Sequence, residues 1–247
     1  MGRKADLHVY AHRNFGYTLA HYLEYFGKDL TYQIVFHPFT ANRQCMIHSD
    51  KHMTVETIPL RHSIPVVGFI FREKERLLNV NKEVIQKYNL TIQDIKKIKA
   101  GNDFQAEDGT IIRNTELTLP PYKARSYAFC TDTLYFKRLV GYLKNVDLLY
   151  FEATFSNKDK KLARSTGHST SVEAAELARQ ANAGKLIMGH FSTRYKNTDH
   201  ILAEARSIFP SSYAAEDGDK YSVDLQRSDE HINDSQSELK TKYAARD

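Results

Sequence analysis

At 247 residues, 41% of them apolar, the chain is long enough to bury a sizeable core in one large domain or two small ones, and its formal charge of +5 is compatible with a polyanionic partner without requiring one. Its longest apolar runs, such as Val66-Val67-Gly68-Phe69-Ile70-Phe71, are far too short to span a bilayer, and no basic and apolar leader opens it, so a soluble protein is expected. Cys45 and Cys130 stand alone and far apart, which excludes a zinc ribbon, a CxxC redox pair and a disulfide framework, and suits a reducing cytoplasm.

The first element predicted is a strand, from the alternation in Asp6-Leu7-His8-Val9-Tyr10, followed by a helix over residues 15–26, where apolar groups fall at helical spacing. No loop-rich stretch precedes that strand, so the chain is expected to begin inside a fold. Residues 55–61 and 66–71 read as two strands meeting at the turn His62-Ser63-Ile64-Pro65, where proline and short polar residues interrupt the ladder.

Residues 72–100 change character, with eight Lys/Arg against four Asp/Glu and helical spacing of Leu77, Val84, Ile85, Tyr88, Ile92 and Ile95. Glu107-Asp108-Gly109-Thr110 predicts a tight hairpin turn, because Asp-Gly tolerates positive φ. From Ser126 on, strand and helix alternate. Residues 127–131, 148–151 and 186–188 are apolar on successive positions, as strands buried on both faces are. Thr170 with Glu173 makes a capping box for a helix through Ala181, and Ile201, Leu202, Ala205, Ile208 and Phe209 stripe a second helix that Pro210 stops. These are the layers of an α/β fold. Residues 224–247 are polar, without apolar periodicity, and are expected to be disordered.

Three of the buried strands end in an ionisable residue followed by small polar ones: Thr131-Asp132-Thr133, Glu152-Ala153-Thr154 and Gly189-His190-Phe191-Ser192. A charge buried without a partner costs several kcal/mol, so strand ends are where such groups gather in α/β proteins. With His62 at its turn and His168 before the capped helix, the candidates are two carboxylates and three imidazoles, a mixture suited to a zinc site with oxygen and nitrogen ligands. Each has a plainer reading. Asp132 would cap a helix starting at Thr133, Glu152 would pair with a surface lysine, His168 would flank a helix, and His190 would be a hydrogen-bonded rim histidine. The histidines at 8, 12, 21, 37, 48, 52, 200 and 231 show no metal-ligand spacing and read as structural or solvated.

Taken in order, the segment from Pro59 to Phe69 around His62, Cys130-Thr131-Asp132-Thr133, Phe151-Glu152-Ala153-Thr154-Phe155, Gly167-His168-Ser169-Thr170 and His190-Phe191-Ser192-Thr193-Arg194-Tyr195 resemble the successive motifs of the ribonuclease Z family in the metallo-β-lactamase superfamily. Ala215-Glu216-Asp217-Gly218 resembles its closing strand region. The resemblance implies a metallo-β-lactamase-type αβ/βα sandwich over residues 1–224, lacking its leading strands and first metal motif, with an arm inserted at about 72–125 and a polar tail over 225–247. It implies a cytoplasmic, homodimeric zinc endonuclease that removes the 3′ trailer of precursor tRNA and leaves a 3′-hydroxyl.

In that site two zinc ions are implied, with His62 and His190 as terminal ligands and Asp132 bridging. His168 stabilises charge or protonates the leaving oxygen, Glu152 holds its imidazole, Arg194 binds a substrate phosphate, and Lys96, Lys97 and Lys99 of the arm grip the tRNA body. The family's remaining ligands come from a His-x-His-x-Asp-His run, which these 247 residues do not contain, so weak zinc binding and poor or no cleavage are expected of the chain as written. Phe151 stands where the family has His, Thr131 where it has Gly, and the Gly-Pro signature of its arm is not seen around residues 89–92. Two other readings stay open: another hydrolase of the superfamily, acting on an ester, lactone or other nucleic acid, and a non-catalytic RNA-binding or subunit-interaction role.

Overall fold

The computed structural model describes residues 2–227. The disorder expected of the tail therefore falls, from residue 228 on, outside the described residues. Among the described residues two compact units are present, the first made of residues 2–73 and Ser126–Tyr221, the second of Lys74–Arg125 with residues 222–227.

The first unit opens with β1 (Leu7–His12), α1 (Phe15–Phe26) and β2 (Ile34–Phe39), a β-α-β turn whose strands pair in parallel. Then β3 (Cys45–Ser49), β4 (Met53–Pro59) and β5 (Val67–Glu73) run antiparallel, with His62 in the β4–β5 connection as expected.

In the second unit, β6 (Asn79–Val80), α2 (Lys82–Lys87), α3 (Ile92–Lys99), β7 (Phe104–Gln105), β8 (Ile111–Ile112), α4 (Asn114–Leu117) and β9 (Thr118–Leu119) follow. The single helical stripe expected over residues 72–100 is corrected here. Asn81 and Thr91 each cap a new helix through the side chain, so the segment breaks into two short helices, and Leu77 and Ile92 are exposed rather than part of a buried face. A small core of Val80, Leu90, Ile98, Ile112 and Leu117 holds the unit. The Asp-Gly hairpin forms, pairing Phe104 with Ile112.

Back in the first unit come β10 (Ser126–Cys130), α5 (Leu139–Tyr142), β11 (Leu148–Glu152), α6 (Lys160–Thr166), α7 (Ser171–Gln180), β12 (Lys185–Gly189), α8 (Asp199–Arg206) and β13 (Ser212–Ala214). A seven-stranded sheet orders them β13-β12-β11-β10-β5-β4-β3. From β10 to β13 all pairs are parallel, and β10 meets β5 antiparallel. Burial follows this division: β10 alternates buried and half-buried residues, whereas β11 and β12 are buried almost throughout.

Four alanines of and beside α7 (Ala174, Ala175, Ala178, Ala181) are fully buried, and their small side chains let the helix come close to the sheet. Leu149, Phe151, Leu177, Leu186 and Met188 fill the layer between, each contributing about 1.5–3 kcal/mol by leaving water. The capping box at Thr170 and Glu173 forms as read, while the closing strand lies at Ser212–Ala214, just ahead of the segment expected to supply it. Among the described residues no helix is long and apolar enough to cross a membrane.

Candidate active site

Asp132, Glu152 and His190 stand at the carboxyl ends of β10, β11 and β12, three adjacent parallel strands, which is where parallel sheets collect functional groups. The plainer reading of Asp132 fails, because no helix begins at Thr133 and the next one starts at Leu139. Asp132 instead has a left-handed backbone, φ 52°, as does His190, φ 60°. Non-glycine residues avoid that region unless the surroundings hold them there, at a cost of about 1–3 kcal/mol each. His62 joins them because Arg61 N–H donates to Thr133 Oγ1 (3.0 Å) and Leu134 N–H to the Arg61 carbonyl (2.8 Å), which pins the β4–β5 connection beside Asp132.

Glu152, with no exposed surface, organises the rest. Its carboxylate accepts from the backbone N–H of Thr133, from Thr154 Oγ1–H (2.6 Å), from Ser169 N–H (3.0 Å) and from His168 Nδ1 (3.1 Å). Four donors converging on one buried carboxyl group offset the loss of its hydration as an anion. The surface-lysine partnership is thereby replaced.

These bonds also decide where the protons sit on all three imidazoles. His168 Nδ1 faces a carboxylate, so it must donate. His62 Nδ1 lies 3.0 Å from the Gly167 carbonyl, which only accepts. His190 Nδ1 lies 2.9 Å from Thr154 Oγ1, whose single proton is committed to Glu152, so the histidine again donates. Each ring therefore carries a proton on Nδ1, and in its neutral form offers the electron pair of Nε2. His190 Nε2 then faces Asp132 Oδ1 at 3.4 Å, a pair that either a proton on Nε2 or a bound cation would bridge.

Donor atoms of His62, Asp132 and His168 lie within 4.8 Å of one another, as do those of Glu152, His168 and His190. His168 sits between the other two rings, 5.0 Å from His62 and 5.2 Å from His190 by centroids. Nitrogen and oxygen donors at this spacing fit a divalent metal of the zinc type.

Gly167 is required by two constraints at once. Its φ of 82° ends α6 in the left-handed region, and a Cβ there would lie 2.7 Å from His62 Nδ1. Arg194 is drawn to the rim: its guanidinium lies 5.1 Å from the Phe155 ring, itself 6.3 Å from the His168 ring. Lys96, Lys97 and Lys99 are not among these groups; they occupy the last turn of α3 in the second unit.

Sequence reasoning did not single out Thr133, Thr154, Ser169 and Gly167, which hold the ionisable groups in place. Their signal was the small polar or glycine residue beside each candidate.

A beta-lactamase superfamily domain matches residues 100–191. A ribonuclease Z of Porphyromonas gingivalis is 42% identical over 225 residues, covering 91% of this chain and 73% of its own length. One from Phocaeicola vulgatus is 37% identical over 224 residues, covering 91% and 72%.

Among solved structures, the short form of human tRNase Z aligns with a TM-score of 0.53 at 17% identity, covering 88% of this chain and 68% of its own. The metallo-β-lactamase-fold protein YhfI of Bacillus subtilis aligns at 0.52 and 18% identity, and there the match spans 87% of this chain and 64% of that one. At such identities the two structures speak for the fold, of the metallo-β-lactamase type.

Proposed function

The chain belongs to the ribonuclease Z family, and on that premise we propose that it is a hydrolytic endoribonuclease that removes the 3′ trailer of precursor tRNA and leaves a 3′-hydroxyl on the tRNA. The observation that carries this reading to particular residues is the common Nδ1–H tautomer of His62, His168 and His190 around the buried Glu152. It turns the Nδ1 atoms to protein acceptors and leaves the Nε2 atoms as the available donors in two overlapping groups, His62 with Asp132 and His168, and Glu152 with His168 and His190.

His62, Asp132 and His190 would hold zinc, joined by the family's further ligands where a His-x-His-x-Asp-His run is present. Bound zinc supplies Lewis-acid charge for phosphoryl oxygens and lowers the pKa of water. His168 has a different part. Its Nδ1–H is held by Glu152, so when Nε2 takes up a proton the negative carboxylate balances the imidazolium, which donates that proton to the departing 3′-oxygen. Glu152 is a positioning residue for this step, and through Thr154 it positions His190 as well. Arg194, permanently charged and exposed, holds a substrate phosphate.

The second unit serves as an arm for the tRNA body, with Lys96 and Lys97 exposed on α3 and Lys99 beside them. The chain pairs as a homodimer in the cytoplasm. In support, α1 turns Tyr17, Tyr22, Tyr25 and Phe26 outward, each more than half exposed.

The test is cleavage of a 3′-extended precursor tRNA with zinc, compared with cleavage of a small phosphodiester. A cut at the trailer junction supports the reading. Hydrolysis of the small diester alone, with precursor tRNA left intact, would favour another hydrolase of the superfamily.

A further inference from the structure

The stretch leading into His168 carries charge that its own helix does not explain. Residues 158–164 hold four cations, Lys158, Lys160, Lys161 and Arg164, against the single carboxylate Asp159. The first turn of α6 has no acidic residue and begins with Lys160 and Lys161, although cations at a helix N-terminus oppose its dipole.

The nearby carboxylates are already engaged. Asp159 accepts from Tyr195 Oη–H at 2.5 Å. Glu173 caps α7 and pairs with Lys160 Nζ at 3.3 Å. Glu204 accepts from Asn157 N–H at 2.9 Å and from the Ser171 hydroxyl. Lys158 lies over the Tyr195 ring. Lys161 and Arg164 remain: both are exposed, both lie on one side of α6 at i and i+3, and neither has an ionic partner among the described residues.

The carboxyl end of this helix is tied to the site by two bonds. His168 N–H donates to the Ala163 carbonyl (2.8 Å), and His62 Nδ1–H to that of Gly167. The loop after His190 brings further cations, Arg194 beside Phe155 and the exposed Lys196.

We propose that Lys161 and Arg164, with Arg194 and Lys196, form a phosphate-binding rim that holds the RNA backbone next to the cleaved bond, a site separate from the arm lysines. The proposal rests on the precursor-tRNA reading above. The contacts are to phosphates, so they add affinity by counterion release and carry no base specificity.

The experiment measures binding of precursor tRNA to the full 247-residue chain over a series of salt concentrations. A Lys161→Ala/Arg164→Ala variant is expected to bind about tenfold more weakly, with the slope of log affinity against log salt reduced by about 2. Lys161→Arg/Arg164→Lys keeps the charges and should keep the slope. Lys144→Ala, an exposed cation before β11 at the other end of the sheet, should change neither.

Repeating the series with mature tRNA distinguishes the source of the phosphates. A loss on both RNAs assigns them to the acceptor stem, and a loss confined to the precursor assigns them to the trailer. Unchanged affinity and slope in the alanine variant overturns the rim even if cleavage occurs. A slope lost in that variant, with the unsubstituted chain hydrolysing a small phosphodiester but leaving precursor tRNA intact, upholds the rim and defeats the processing reading.

Discussion

At the scale of single residues, the site is organised as much by the buried Glu152 as by its metal-binding candidates. Glu152 fixes the proton on His168 directly and that on His190 through Thr154. Two substitutions separate these duties. In a chain that carries the family's His-x-His-x-Asp-His run, His168→Ala should lower the cleavage rate by about 10²–10⁴ with zinc content unchanged, whereas His190→Ala should lower zinc content itself. Zinc analysis of the purified variants checks both, and loss of zinc from His168→Ala would make that residue a ligand. Gly167→Ala should destabilise the chain by about 1 kcal/mol or more and weaken zinc binding, because its Cβ meets His62 Nδ1 at 2.7 Å in a backbone that favours glycine. A denaturant titration alongside a zinc titration reads the two effects. At this scale the five ionisable candidates were legible, Asp132, Glu152 and His190 because a charged residue closing an apolar strand has few inexpensive explanations, His62 and His168 from their places at a turn and before a capped helix. The hydroxyl groups of Thr133, Thr154 and Ser169 were not, because each also meets a partner far away in sequence: Arg61 N–H, His190 Nδ1 and the Thr133 carbonyl respectively.

At the scale of elements, the sequence signals that held were the local ones. The capping box of α7 needs only Thr170 and Glu173, and both halves of it form. Thr170→Ala should therefore cost about 1 kcal/mol, measurable as a lower denaturation midpoint at unchanged m-value. The β3–β4 turn is equally local: Asp50 accepts from the backbone N–H groups of His52 and Met53, and these bonds, helped by His48, hold its pKa down at about 2. A carboxylate whose pKa is lowered on folding contributes stability that is present above its unfolded value of 3.8 and is lost as pH falls through about 2. An NMR titration should find Asp50 still ionised at pH 3, and an ordinary value would contradict the turn. Residues 72–100 show the limit of such reading. Strands of two residues, such as β6 and β9, have no period to detect, and the caps at Asn81 and Thr91 outweighed an apparent stripe that included the exposed Leu77 and Ile92.

At the scale of the whole molecule, charge and exposed aromatic surface carry the predictions. Lys96→Ala/Lys97→Ala/Lys99→Ala should weaken precursor tRNA binding and flatten its salt dependence if the second unit is an arm. An unchanged slope would return these lysines to the plainer role of stabilising the last turn of α3. Light scattering should give a dimer mass that falls to the monomer in Tyr17→Ser/Tyr25→Ser, and an unsubstituted monomer would contradict the pairing. The central claim, that His62, Asp132, Glu152, His168 and His190 form one zinc-dependent phosphodiester-cleaving site, is tested most directly by single-turnover cleavage of a 3′-extended precursor tRNA with the chain in excess, in the presence and absence of zinc. The account predicts a cut, slow or absent in the chain as written and robust once it carries the family's His-x-His-x-Asp-His run, that leaves a 3′-hydroxyl on the tRNA, requires zinc and disappears in Asp132→Ala. A chain with that run that makes no cut at any zinc concentration, or a cut that persists in Asp132→Ala and His190→Ala, would contradict it.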